Sequence, residues 1–88
     1  MAQVWGLDVE QVRALAREMD REAEGIDQTL SRLTGTLGNT QWTGPDATQF
    51  RDEWQGAHST ALRRVASALR ETAQAARANA DAQERASQ

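Results

Sequence analysis

The sequence predicts an all-α fold: an antiparallel two-helix hairpin that dimerises into a four-helix bundle. Three observations carry this expectation. Apolar residues recur at helical spacing in both halves of the 88-residue chain. The only proline and most of the glycines fall near the N-terminus or in the middle, at Gly6, Gly35, Gly38, Gly44 and Pro45. The first of these halves lacks the period of two that a half-buried strand requires.

The first helix is expected over about residues 8–38. Asp8 can accept from the backbone N–H groups of the first turn, and Gln11 completes a capping-box pattern. Val9, Val12, Ala16, Met19, Ala23, Ile26, Leu30, Leu33 and Leu37 then follow at alternating spacings of three and four. That is an unbroken heptad stripe. With Leu15 these positions fall within a roughly 120° arc at 100° per residue, which leaves Arg13, Arg17, Asp20, Arg21, Glu24 and Gln28 outside it. Gly38-Asn39 follows the last stripe residue, where a left-handed C-cap is expected.

Residues 39–44 form the predicted loop, and the second helix is expected over about 45–84, followed by a short tail. Thr43 is the expected N-cap, Pro45 suits the first turn, and Asp46 places negative charge at the positive helix end. Phe50, Trp54, Ala57, His58, Ala61, Leu62, Val65, Ala68, Leu69, Thr72, Ala73, Ala75, Ala76 and Ala80 spread over about half the helix circumference. The second helix therefore has the wider apolar face. A short connection folds the two long helices back on each other as one domain, residues 1–88. A lone hairpin has one seam, so the surplus width, much of it alanine, calls for another helix. The expected core and dimer interface comprises Val12, Met19, Ile26, Leu30, Leu33, Leu37, Phe50, Trp54, His58, Ala61, Leu62, Val65 and Leu69.

Composition narrows the chemistry. There is no Cys and one His, His58. A disulfide, a thiolate zinc site and a cysteine nucleophile are therefore excluded, and no metal or cofactor is expected. Ten basic residues, all Arg, against thirteen acidic ones give a net charge of −3, the wrong sign for gripping a phosphate backbone. No apolar run approaches the ~20 residues of a membrane span, and no basic segment leads into an apolar one near the N-terminus. Neither stable membrane insertion nor a conventional signal peptide is expected. No nucleophile, base and oxyanion donors converge, so an enzyme is not expected. Ser59 is adjacent to His58, and neighbours on a helix point about 100° apart. Asp52-Glu53 and Glu22/Glu24 read as charged outer faces, with Arg17, Arg21 and Arg51 near enough for surface ion pairs.

Three aromatic or titratable positions each have two readings. Trp42, in an otherwise polar bend, either staples the start of the second helix or forms a recognition surface at the bundle end. His58 is either a hydrogen-bonded interface residue or a pH switch that loosens the dimer when protonated. Trp5 either caps the open end of the hairpin or docks on the partner chain.

Trp42-Thr43-Gly44, between two amphipathic helices of similar length, resembles the hairpin-loop motif of the WXG family. The resemblance covers the whole chain. These are the small helical hairpins of actinobacterial and firmicute type VII (ESX-like) secretion, of which the early-secreted-antigen pair is the familiar case. The lysine-free, alanine- and arginine-rich composition also looks actinobacterial. The resemblance implies a homo- or heterodimeric bundle whose partner is a second copy or a second WXG-type protein. It also implies export in folded form by a membrane ATPase, without a cleaved signal peptide. In the family a Tyr three residues short of an acidic residue follows the second helix and completes a bipartite signal with the loop of the other chain. This chain contains no Tyr. Its best local match keeps the acidic position as Glu84 and has Ala80 in place of the aromatic. The departure leaves two expectations: a substrate or co-secreted partner, or an intracellular adaptor that covers a larger effector.

Overall fold

A computed structural model describes residues 7–87, so Trp5 lies outside the described residues. The described chain is helical, with no strand among those residues. Helix α1 spans Val9–Asn39 and α2 spans Pro45–Glu53. A π-helical turn, Trp54–His58, joins α2 to α3, Ser59–Ala86. The helices fold back as a hairpin measuring 64 × 18 × 13 Å, one layer of helices among the described residues.

The start of α1 is as its sequence predicts. Asp8 is the N-cap, its carboxylate accepts from the Gln11 N–H at 3.0 Å, and its carbonyl takes the Val12 N–H at 2.9 Å. Its end is different. The helix runs through Gly38 and Asn39, and Thr40, in extended backbone, is the C-cap. The expected left-handed cap does not form. Thr40 replaces it by donating its N–H to the Leu37 carbonyl at 3.4 Å and its hydroxyl to the Thr36 carbonyl at 2.6 Å. The last carbonyls are thus satisfied without a glycine turn.

The only positive φ among the described residues belongs to Gly44, at φ 120° and ψ 172°. That region is open essentially to glycine alone. Gly44, not Thr43, is the N-cap of α2, with no side-chain cap. The first α2 bond is Thr48 N–H to the Gly44 carbonyl at 3.0 Å, and Pro45 has no N–H to leave unpaired.

The second helix is not one continuous α-helix. Its buried positions are Ala47, Trp54, Ser59, Ala66, Ala73 and Ala80. Steps of seven rule on both sides of the π turn, but Trp54 and Ser59 are five apart, one more than an α-helical seam allows. The π turn absorbs that extra residue. It also rotates the face behind it, so His58, Ala61 and Val65 lie outside the intrachain seam and are exposed. Leu62 and Leu69 flank Ala66 and Ala73 at the edge of the seam and are half-buried. α3 continues to Ala86, two residues beyond the expected end.

The core is made of small residues. Ala16, Ala23, Ala47, Ala66, Ala73 and Ala80 are each at most 1% exposed, joined only by Leu30 and Trp54 among apolar side chains. Methyl groups thus line most of the seam between the two helices. The larger side chains Val12, Met19, Ile26, Leu33, Leu37, Phe50, Leu62 and Leu69 are only half-buried.

Candidate interaction surfaces: the bend and the open face

At the bend, four rings form a chain. Phe50 lies in the middle, 6.3 Å from Trp42, 6.3 Å from Trp54 and 6.4 Å from His58 between ring centroids. Trp54 is the anchor: it is buried, and its Nε1–H donates to the Thr34 hydroxyl at 3.0 Å, tying α1 to the end of α2. Trp42 is the opposite case, with 41% of its surface exposed. It does rest against Phe50, but Phe50 belongs to the second turn of α2, so the contact reaches deeper than a staple on the first turn. His58 is exposed, with Nε2 3.7 Å from one Glu53 carboxylate oxygen, while the other accepts from Gln49 Nε2 at 3.0 Å.

Arg51 holds this bend together. Its guanidinium donates to the carbonyl oxygens of Trp42 at 2.5 Å, Thr40 at 3.0 Å and Leu37 at 3.2 Å. It also lies 5.8 Å from the Trp42 ring centroid, within cation–π range. The expected surface ion pair with neighbouring carboxylates is therefore not what Arg51 makes. A cation at the negative end of α1 is favoured by the helix dipole as well as by the bonds it donates. Of the other two arginines expected in surface pairs, Arg21 bonds Glu18 at 2.8 Å. That bond holds the Glu18 carboxyl below the usual glutamate range.

The two edges of the hairpin differ. With Ala16, Ala23 and Leu30 on α1, and Ser59, Ala66, Ala73 and Ala80 on α3, placed at position a of the seven-residue repeat, one edge carries the e residues. There Arg13 meets Asp81 at 2.6 Å and Glu84 at 3.2 Å, Asp20 meets Arg77 at 2.8 Å, and Asp27 meets Arg70 at 2.6 Å. These pairs join the two helices along that edge in the register set by the seam. The other edge, at d and g, is apolar and uncovered: Leu15 is 51% and Val65 48% exposed, beside half-buried Met19, Ile26, Leu33, Leu62 and Leu69. A shallow groove on this face is lined by Glu22, Gly25, Ile26, Thr29 and Leu62.

Ala80 and Glu84 stand apart from both surfaces. Ala80 is fully buried in the seam, so that position offers no surface. Glu84 is accessible but tied to Arg13, whose hydrogen bond holds its carboxyl below the usual range; Glu84 first and Asp81 second raise the Arg13 guanidinium further. Within a chain, Trp42 and Glu84 lie at opposite ends of the rod.

The sequence missed Arg51 as a clamp and the π turn as a phase shift. The first left no local signal, since its partners are nine to fourteen residues away. The second was written in the five-residue step and in Gly56. Among the described residues no cluster of three or more His, Cys, Asp or Glu is placed to hold a metal ion, and no helix is long and apolar enough to cross a membrane. Comparison with family models, curated proteins and solved structures finds no match to this chain.

Proposed function

We propose that this chain is a non-enzymatic WXG-type hairpin that works as half of a four-helix bundle, as a type VII secretion substrate or the co-secreted partner of one. The observation that carries this reading is the mismatch between seam and face. Alanines fill the intrachain contact, while Met19, Ile26, Leu33, Leu62, Leu69 and the exposed Leu15 and Val65 share one uncovered side. An apolar face of this length in a one-layer rod favours a second hairpin packed on it. The exposed Trp42, in a bend that needs Gly44 for its backbone, supports the motif reading. The partner is a second copy or a second WXG-type chain, and a membrane ATPase of the secretion system drives export after folding.

Deleting that ATPase tests the proposal. The protein should then vanish from the culture medium and accumulate in cells; equal extracellular amounts in mutant and parent would sink it. Trp42→Ala is expected to reduce export with the helical circular-dichroism signal intact.

A second reading, an intracellular adaptor for a larger effector, draws on the absence of Tyr and on the engagement of Glu84 by Arg13. It is distinguished by retention in the cell and co-purification with a chain of different length.

A further inference from the structure

We propose that a carboxylate from an acidic segment of a partner protein seats at Arg63, on the edge of the hairpin opposite the apolar face. The site is separate from that face, so it does not depend on what covers it.

The charged edge is a ladder with one rung missing. Arg13–Glu84, Asp20–Arg77 and Asp27–Arg70 recur every seven residues along both helices, at 3.2, 2.8 and 2.6 Å. The next step of seven brings Thr34 of α1 level with Arg63 of α3, and both line one hollow with Asp27, Leu30 and Ser31. Every other rung joins an arginine to a carboxylate. Here a hydroxyl stands in its place, and it accepts from the Trp54 indole N–H at 3.0 Å. Asp27, in the same hollow, is taken by Arg70. Arg63 and Arg64 enter no ion pair among the described residues.

Neither helix has an acid of its own to offer at this level. Asp and Glu are absent from residues 28–45 and again from 54–70, although the whole chain carries a net charge of −3. Arg63 and Arg64 are therefore a local cationic site on an acidic molecule. A second hollow brings Thr60, Arg64 and Ser67 to the other side of Arg63, with Glu71 two turns along from Arg64. The guanidinium presents paired N–H donors to a carboxylate, and the Thr34 hydroxyl keeps its own proton to donate while it accepts from the indole. The three intrachain rungs show which anion fits: a side-chain carboxylate offered from a segment lying alongside. The acidic remainder of the molecule repels a long polyanion, which favours a short acidic segment.

Anisotropy of a labelled hexaglutamate peptide, titrated with the purified full-length chain at low ionic strength, tests this. The peptide should bind, and Arg63→Gln should weaken binding about fivefold, the upper end for one exposed ion pair. Arg32 is exposed outside both hollows. Arg32→Gln removes the same charge and should change binding less than about twofold. Thr34→Asp supplies the missing rung from within the chain, and its carboxylate can still accept from the indole. It should weaken binding as much as Arg63→Gln does, with circular dichroism checking that the hairpin is intact. The comparison of Arg63→Gln with Arg32→Gln stands even where Thr34→Asp fails to fold. Equal losses at Arg63 and Arg32 reduce the effect to overall charge and overturn the proposal. So does a peptide that does not bind the wild type, or a folded Thr34→Asp chain that binds it unchanged. Inorganic phosphate should displace the peptide no better than acetate at matched ionic strength; stronger displacement by phosphate assigns the site to a phosphoryl group and overturns the carboxylate.

Discussion

The guanidinium of Arg51, on α2, donates to the carbonyl oxygen of Leu37, in the last turn of α1, at 3.2 Å. This bond crosses the bend. Together with the bonds to Thr40 and Trp42 it makes one side chain the cap of a helix fourteen residues away in sequence. A chain can thus end a helix with a residue from the next one.

Removing that cap should loosen the bend without dismantling the seam. Arg51→Gln is expected to cost about 1–2 kcal/mol, the lower part of the range for bonds from a charged donor, because the bonds to Trp42 and Thr40 are exposed and only that to Leu37 is part-buried. Urea unfolding monitored at 222 nm gives the stability, and Trp fluorescence should shift as the Trp42 ring loses its cation. An unchanged midpoint would mean that water replaces the guanidinium at no cost.

Gly44 and Gly35 should respond in opposite directions to the same substitution. Gly44→Ala forces a side chain into φ 120°, at an expected loss of about 1–3 kcal/mol. Gly35 is helical with nothing within 4 Å of a built Cβ, so Gly35→Ala should stabilise by about 0.4–1 kcal/mol. Paired thermal melts check both. Equal effects would contradict the backbone assigned to the bend.

The π turn predicts an asymmetry between deletions. Removing Gln55 turns the five-residue step into four and leaves every later seam residue in phase, so helicity and cooperative melting should survive. Removing Gln74 throws Arg77, Ala80 and Glu84 off their partners while leaving the π turn in place. Its melting should broaden and its midpoint fall well below that of the first deletion. If both deletions melt alike, the extra residue is not what the turn accommodates.

Acid should release the open end. Glu84 is held below its usual range, chiefly by the Arg13 hydrogen bond, so its contribution is fully present above the ordinary glutamate value. It is lost as pH falls through the depressed value of the folded state. Carboxyl chemical shifts measured against pH should place the Glu84 midpoint below that of a free glutamate. Arg13→Gln should return it to normal. A Glu84 midpoint indifferent to Arg13 would refute the latch.

Much of this architecture is legible in the residues. The three-four stripe of α1, the Asp8 cap and the position of the bend follow from local pattern, because each depends on neighbours within a turn or two. The second helix was readable only in part. Its broad apolar face is two narrower stripes in different phase: Ala47, Phe50 and Trp54 leading into the π turn, and Leu62, Ala66, Leu69 and Ala73 after it. A single helical wheel merges them, since it assumes a constant 100° per residue and a π turn breaks that assumption. The stripe facing α1 is flanked by Arg70, Arg77 and Glu84, whose partners are 43 to 71 residues away and invisible to periodicity. At the bend, the pairing of Trp54 with Thr34 and the reach of Arg51 are of the same long-range kind.

The distribution of bulk along the rod has a mechanical consequence. Indole and phenyl rings are gathered at the turn, whereas beyond it the two helical arms of the hairpin are fastened mainly by methyl groups and by ion pairs open to water. Loosening therefore begins at the free ends and travels toward the rings, like a zip whose slider is riveted at one end, and the bend is the last part to let go.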